Sequence, residues 1–175
     1  MKFSAILFAS FATYASVSAT PVAKHGQKGQ QAAAAATSGS TIVMKEVGGV
    51  AGNECLTFRN NGEIVDAACV NTSADRQVSP TTVKGQSVLL VQRKFTADFR
   101  PDLVNVQACI GFNGTDYLAQ DCASTGFKAV TLVNNQLTSG TSCQSGHDGK
   151  AQLTVDTSGT SCASVTTTDV TAASS

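Results

Sequence analysis

The stretch Val104–Cys122, VNVQACIGFNGTDYLAQDC, decides the fold class, because its pattern is typical of two strands joined by a turn. Asn113-Gly114, between the two arms, favours a tight type I′ turn, whose central residues both need positive φ. Cys109 and Cys122 lie on opposite arms, where facing side chains come close enough for a disulfide. The stretch therefore predicts a stapled β-hairpin, which is a structural device and not a catalytic one.

An earlier stretch repeats this order of residues. Cys55–Gly62, CLTFRNNG, and Cys109–Gly114, CIGFNG, both place a phenylalanine three residues after the cysteine and then an Asn-Gly pair. Each stretch is followed by a second cysteine, at position 69 or 122. The pair Cys143 and Cys162 is a looser third copy. Three stapled hairpins make a pseudo-threefold β-trefoil an alternative to other all-β folds.

The chain has six cysteines, and an even number in an exported protein is typical of a disulfide framework. Six cysteines allow 15 pairings, and sequence alone does not choose among them. The short loops favour sequential pairing, and no Cys-x-x-Cys spacing supports a metal site. The expected pairs are Cys55 with Cys69, Cys109 with Cys122, and Cys143 with Cys162.

About ten short strands separated by turn residues, with no amphipathic helix, predict one all-β domain. A disulfide-stapled β-sandwich or irregular barrel is the expected architecture, with the β-trefoil as the alternative. Residues 74–82 are polar and contain Pro80, so they are expected to form a loop. Residues 87–99 are expected to continue as strand, and Asn134-Asn135 is expected to be a turn.

The two ends of the chain differ from this domain. Residues 1–19 have the layout of a secretory signal peptide, and residues 20–40 are expected to be a flexible low-complexity extension. Residues 41–165 form the expected β-domain, and residues 166–175 are expected to be a disordered Ser/Thr/Ala tail. The 12 basic and 12 acidic residues balance, so nothing in the charge favours nucleic acid or a membrane as partner.

Two sequons predict N-glycosylation at Asn71 and Asn113, which would place both turns at the surface. Catalytic signals are weak: His25 lies in the extension, and His147 is expected to be a solvated turn residue. A glycosidase would need two carboxylates flanking a sugar. Four aspartates fall in turns or at strand edges and are the candidates for such a pair: Asp98, Asp102, Asp116 and Asp121.

Aromatic residues line many sugar-binding clefts, and Tyr117 is the mature residue expected to expose its ring as a weak ligand-binding candidate. The strand phenylalanines are expected in the core: Phe58, Phe95, Phe99, Phe112 and Phe127. No catalytic residue, cofactor or metal site is predicted.

The stretch from Cys55 to Cys69 resembles the cysteine-stapled hairpin of ricin-type lectin repeats, although the Gln-x-Trp motif of those repeats is absent. The whole layout is similar to that of small secreted cysteine-containing proteins of filamentous fungi. That resemblance implies an extracellular or cell-wall location and no particular reaction. The expected function is therefore that of a secreted, non-catalytic glycoprotein acting through surface interaction with an extracellular glycan or protein. A secreted, glycosidase-like hydrolase is the alternative.

Overall fold

The computed structural model describes residues 40–174, which form an all-β fold with two one-turn 3₁₀ helices, Ala74–Arg76 and Pro101–Leu103. The twelve strands within this range are β1 Thr41–Glu46, β2 Glu54–Phe58, β3 Ile64–Ala68, β4 Gln77–Val83, β5 Gln86–Val91, β6 Ala108–Phe112, β7 Tyr117–Asp121, β8 Thr131–Val133, β9 Gln136–Ser139, β10 Ser142–His147, β11 Leu153–Asp156 and β12 Val165–Val170. The predicted signal peptide and nearly all of the predicted extension lie outside the described residues.

The strands form three antiparallel sheets. The largest has the order β12-β1-β4-β5-β6-β7, the second has the order β11-β10-β9-β8, and β2 pairs with β3 alone. These sheets do not close into a barrel, and a sandwich-like arrangement confirms that part of the expected fold class. Of the alternatives, neither the irregular barrel nor the threefold trefoil matches this sheet order.

All three sheets contribute to one apolar core. Alternation along each strand places every second side chain on the same face. In β1 this row contains Ile42 and Met44, and in β2 it contains Leu56 and Phe58. Leu137 of β9 packs into the same core. The site described below forms where these inward rows end in polar residues.

The expected disulfides are confirmed, with Cα separations of 4.9 Å for Cys55–Cys69, 5.2 Å for Cys109–Cys122 and 5.5 Å for Cys143–Cys162. In both predicted hairpins the first cysteine bonds the residue two positions beyond its direct cross-strand partner. The repeated sequence pattern therefore corresponds to a repeated structure. The third bond differs, because it joins β10 to the loop after β11.

Three sequence-based boundaries were wrong. Residues 77–83 are a strand and not a loop. Proline has no N–H to donate, but β1 pairs with only Gln77 and Val78 of this strand, so Pro80 faces no partner strand on that side and is tolerated. The tail was expected to be disordered, yet residues 165–170 form β12 along the whole of β1. Strand β5 ends at Val91, so the expected strand beyond it is replaced by irregular chain and a turn at 97–99.

Two turns that the sequence predicted from asparagine residues are present, and one of them differs in length from the prediction. Asn134 and Asn135 form the expected two-residue turn, with φ of 50° and 61° between the paired Val133 and Gln136. The Asn113-Gly114 turn is longer than predicted, because the Asn113 side chain accepts hydrogen bonds from the backbone N–H groups of Thr115 and Asp116.

Within residues 40–174 no helix has the length and apolar character needed to span a membrane.

Candidate functional site

Polar side chains occupy inward-facing positions at one end of the core. Glu46 follows Ile42 and Met44 on the inward row of β1, and Asp66 on β3 is the cross-strand partner of the core residue Leu56. Their side chains are only 6% and 3% exposed. Two acidic groups therefore lie where the alternation of each strand would place an apolar residue.

His147 joins this pair from β10. Its Nδ1 atom lies 3.1 Å from Glu46 Oε1 and 3.6 Å from Asp66 Oδ2. The imidazole is 27% exposed, so it lies at the rim of the cluster and links the buried acids to solvent. We call Glu46, Asp66 and His147 the acid–histidine cluster.

A β-bulge explains how the second sheet reaches this cluster. Gln144 pairs with Val155 and Gly146 with Thr154, so Ser145 is an extra residue in β10. Residues 144 and 147 would face opposite sides of a regular strand, but one inserted residue reverses the alternation. As a result Gln144 Nε2 donates to Glu46 Oε2 at 2.9 Å, close to the contact that His147 makes with the same carboxylate.

The acid–histidine cluster and the neighbouring Gln144 contain buried polar atoms without hydrogen-bond partners among the described residues. Neither carboxylate oxygen of Asp66 has a hydrogen-bond partner, and the same is true of Gln144 Oε1. Gln144 itself is completely buried. Most buried polar side-chain atoms in folded proteins are hydrogen-bonded, so these three acceptors are an exception that the fold does not explain.

The electrostatics of the cluster agree with this shortage of donors. Burial, and then the nearby charge of Glu46, raise the pKa of Asp66 above its ordinary value. The charge of His147 and the Val50 backbone lower that pKa, although Val50 makes no regular hydrogen bond to the carboxylate. The backbone at Gly49 lies close to both acids. A Cβ added at this position would be only 3.2 Å from Asp66 Oδ2 and would also meet the Glu46 side chain.

The sequence prediction for His147 was therefore wrong in its placement. The residue ends a strand and contacts two carboxylates, whereas a solvated turn was expected. Glu46 and Asp66 were missed altogether. The sequence signal for Glu46 and Asp66 is an acidic residue at an inward-facing position of an otherwise apolar strand. The sequence alone does not show which positions face inward, because that depends on how the strands pair.

Tyr117 does not expose its ring, which corrects the expected ligand-binding role. The residue is 2% exposed, its hydroxyl lies 3.1 Å from Ser142 Oγ, and Phe112 packs edge-on against it. Burial raises the pKa of the Tyr117 phenol, partly offset by the contact with Ser142. Tyr117 is thus a core residue with a partnered hydroxyl.

The four candidate aspartates have structural contacts or exposed positions. Arg100 forms two hydrogen bonds with Asp102 and lowers the pKa of that carboxyl, which suits an ion pair and not a general acid. Asp121 Oδ1 accepts from the Ala123 backbone N–H. Asp102 and Asp121 line one cavity of about 490 Å³, whereas Asp98 and Asp116 are exposed outside it. The sequon residues Asn71 and Asn113 are exposed, as expected.

Phe99 was expected in the core but is 54% exposed, because it lies in the turn that follows the irregular segment after β5. It lines an open groove of about 670 Å³ together with Arg59, Asn60, Asn61 and Arg93. We call this the Phe99 groove. Arg93 is held in place there, since it donates to Phe58 O and Asn60 Oδ1 and lies over the Phe95 ring.

Comparison of the chain with protein-family models, with curated proteins and with solved structures gives no match. The acid–histidine cluster and the Phe99 groove are therefore the two features of the molecule from which a function can be inferred.

Proposed function

We propose that this protein is a secreted, non-catalytic domain that binds an extracellular glycan in the Phe99 groove. The observation that carries the proposal is the exposure of Phe99 beside amide and guanidinium groups. An aromatic face stacks on the apolar side of a sugar ring, while planar donors bind its hydroxyl groups.

The polar wall of the groove is already organised for such contacts. Asn60 Oδ1 accepts a hydrogen bond from Arg93, and Asn61 Oδ1 accepts from the Glu63 backbone N–H at 3.2 Å. These contacts orient both side chains and leave their amide nitrogens as donors for a sugar. Arg59 keeps 47% of its side chain exposed and contacts Glu63 at 3.4 Å. Preorganised donors reduce the entropy that a ligand must overcome on binding.

The location is part of the proposal. Three disulfides and no membrane-spanning helix within the described residues are compatible with an extracellular protein. The predicted signal peptide and the exposed sequons at Asn71 and Asn113 favour the same location. In that setting the polysaccharides of a cell wall are the glycans that the groove would meet first.

Retention of the folded protein on immobilised chitin, β-glucan and mannan tests the proposal. Phe99→Ala should weaken binding to the preferred glycan by about tenfold, because central aromatic contacts dominate many binding sites. Val133→Ala is the matched control, since Val133 is 50% exposed and does not line the groove. Equal retention of both variants would contradict the proposal.

The same glycans distinguish the hydrolase alternative. Release of soluble sugars by the wild-type chain, abolished in Asp121→Asn, would assign a reaction to the cavity that Asp102 and Asp121 line. Binding without release of sugars, lost in Phe99→Ala, supports the proposed function.

A further inference from the structure

We propose that Glu46, Asp66 and His147 form a binding site for a divalent transition-metal ion of the zinc class. The three side chains belong to strands from three different sheets and present ligand atoms that all lie within 4.8 Å of one another. Asp66 also lines the Phe99 groove, but the metal site does not depend on glycan binding, because none of its three ligands is among the aromatic and amide groups proposed to contact the sugar.

The separations of the atoms suit a small ion. Two ligands bound to a tetrahedral ion at about 2.0–2.1 Å lie roughly 3.4 Å from each other. His147 Nδ1 lies 3.1 Å from Glu46 Oε1 and 3.6 Å from Asp66 Oδ2, on either side of that value. The imidazole nitrogen therefore lies near the ligand spacing of such an ion from each carboxylate, and all three ligand atoms lie within 4.8 Å of one another.

The unpartnered atoms are an independent observation pointing to the same ligand. Asp66 has a side chain only 3% exposed and neither of its oxygens is hydrogen-bonded, although buried polar groups ordinarily have a hydrogen-bond partner. A cation would supply both oxygens with a partner and separate the two buried negative charges. Gln144 Oε1 is also buried and unpartnered, and its amide contacts Glu46, so it is a candidate for the fourth ligand.

The chemistry of the donors selects the ion. One imidazole nitrogen with two carboxylate oxygens suits Zn²⁺ and its neighbours in the first transition row. Ca²⁺ and Mg²⁺ favour sites with six or more oxygen ligands including water. All six cysteines are in disulfides, so no thiolate is available for a soft ion. His147 is partly exposed and gives the ion a route of entry.

The experiment uses the full oxidised chain, stripped of metal with a chelator that is then removed. Calorimetric titration with ZnCl₂ should give one ion bound per chain, with weaker binding of CaCl₂. CoCl₂ in place of zinc should give the visible absorption of a four-coordinate site, a signature that merely non-specific binding does not produce. A wild-type chain that binds no Zn²⁺ would overturn the proposal.

Variants locate the ion. His147→Ala and Asp66→Asn should each weaken Zn²⁺ binding by at least about tenfold. Asp98→Asn, the same chemical change at an exposed carboxylate, should leave the affinity unchanged. Phe99→Ala should also leave it unchanged, which separates this test from that of the Phe99 groove. Thermal unfolding without metal checks that each variant folds, and Asp66→Asn, which keeps the shape of the side chain, is the less disruptive of the two.

Binding that survives in both cluster variants, or that is lost only in His25→Ala, would place the ion elsewhere and refute the site.

Discussion

Two aspartates of this protein are opposites in their surroundings. Asp66 is buried and has no hydrogen bond to either oxygen. Asp156 is only partly buried, and its oxygens accept from the backbone N–H groups of Ser158, Thr160 and Ser161 at 2.8–2.9 Å. The turn after β11 fully accounts for Asp156, whereas the contact with His147 leaves both oxygens of Asp66 without a hydrogen bond. A residue that the fold does not explain is the better place to look for function.

The largest effect on stability is expected where the buried cluster loses its basic group. His147→Ala should lower the free energy of unfolding by about 2 kcal/mol, because it leaves a buried carboxylate oxygen of Glu46 without its donor. Urea unfolding in the presence of a chelator measures this change. The matched variant His25→Ala, in the predicted extension, should have no effect. An unchanged midpoint for His147→Ala would mean that the imidazole does not contact the acids in solution.

A smaller effect of opposite sign is expected at Asp66 itself. Asp66→Asn should raise the free energy of unfolding of the metal-free protein by about 1 kcal/mol, because it removes a buried charge beside Glu46 while keeping the shape of the side chain. The same urea experiment checks it, with Asp98→Asn as control. Destabilisation by Asp66→Asn would show that the carboxylate has a stabilising partner, and the contrast with Asp156 would fail.

The smallest effect is expected at the exposed turn, and it should depend on pH. Hydrogen bonds from Ser158, Ser161 and Thr160 lower the pKa of Asp156 far below its ordinary value. Ionised Asp156 therefore stabilises the fold above the unfolded pKa of about 4, and this contribution is lost as the pH falls through the lower folded pKa. Asp156→Asn should lower the melting temperature slightly at neutral pH.

Melting curves of both proteins between about pH 7 and pH 2 measure this dependence. The difference between wild type and Asp156→Asn should shrink as the solution becomes strongly acidic. A difference that stays constant with pH would mean that the charge of Asp156 is not what holds the turn.

Local signals in the sequence predicted the local structure well. The spacing of Cys55 with Cys69 and of Cys109 with Cys122 predicted two hairpins and their disulfides, because both ends of each interaction lie within one short segment. Asn134-Asn135 predicted a turn for a similar reason, because asparagine tolerates positive φ whatever lies elsewhere in the chain.

Features that depend on distant pairing were not predictable. Pro80 argues against a strand unless its neighbour is known to leave the position unpaired. Residues 165–170, VTTTDV, contain β-branched residues that favour strands, but they have too little apolar alternation to predict one, and it is pairing with β1 that makes them a strand. Glu46, Asp66 and His147 come from three separate regions, and an unpredicted bulge in β10 directs the last of them inward. The candidate metal site could therefore not be predicted from the sequence, because its three residues are brought together only by the pairing of distant strands.

The pairing of the first strand with the last also has a consequence for synthesis. β1 finds its outer neighbour only in β12, and Ser40 contacts Asp169 across 129 positions of chain. Residues 165–170 must therefore be synthesised before this strand pairing can form, and loop closure over such a span is slow. Until then one edge of β1 has unpaired backbone N–H and C=O groups that another chain could pair with, so β12 protects this edge from aggregation.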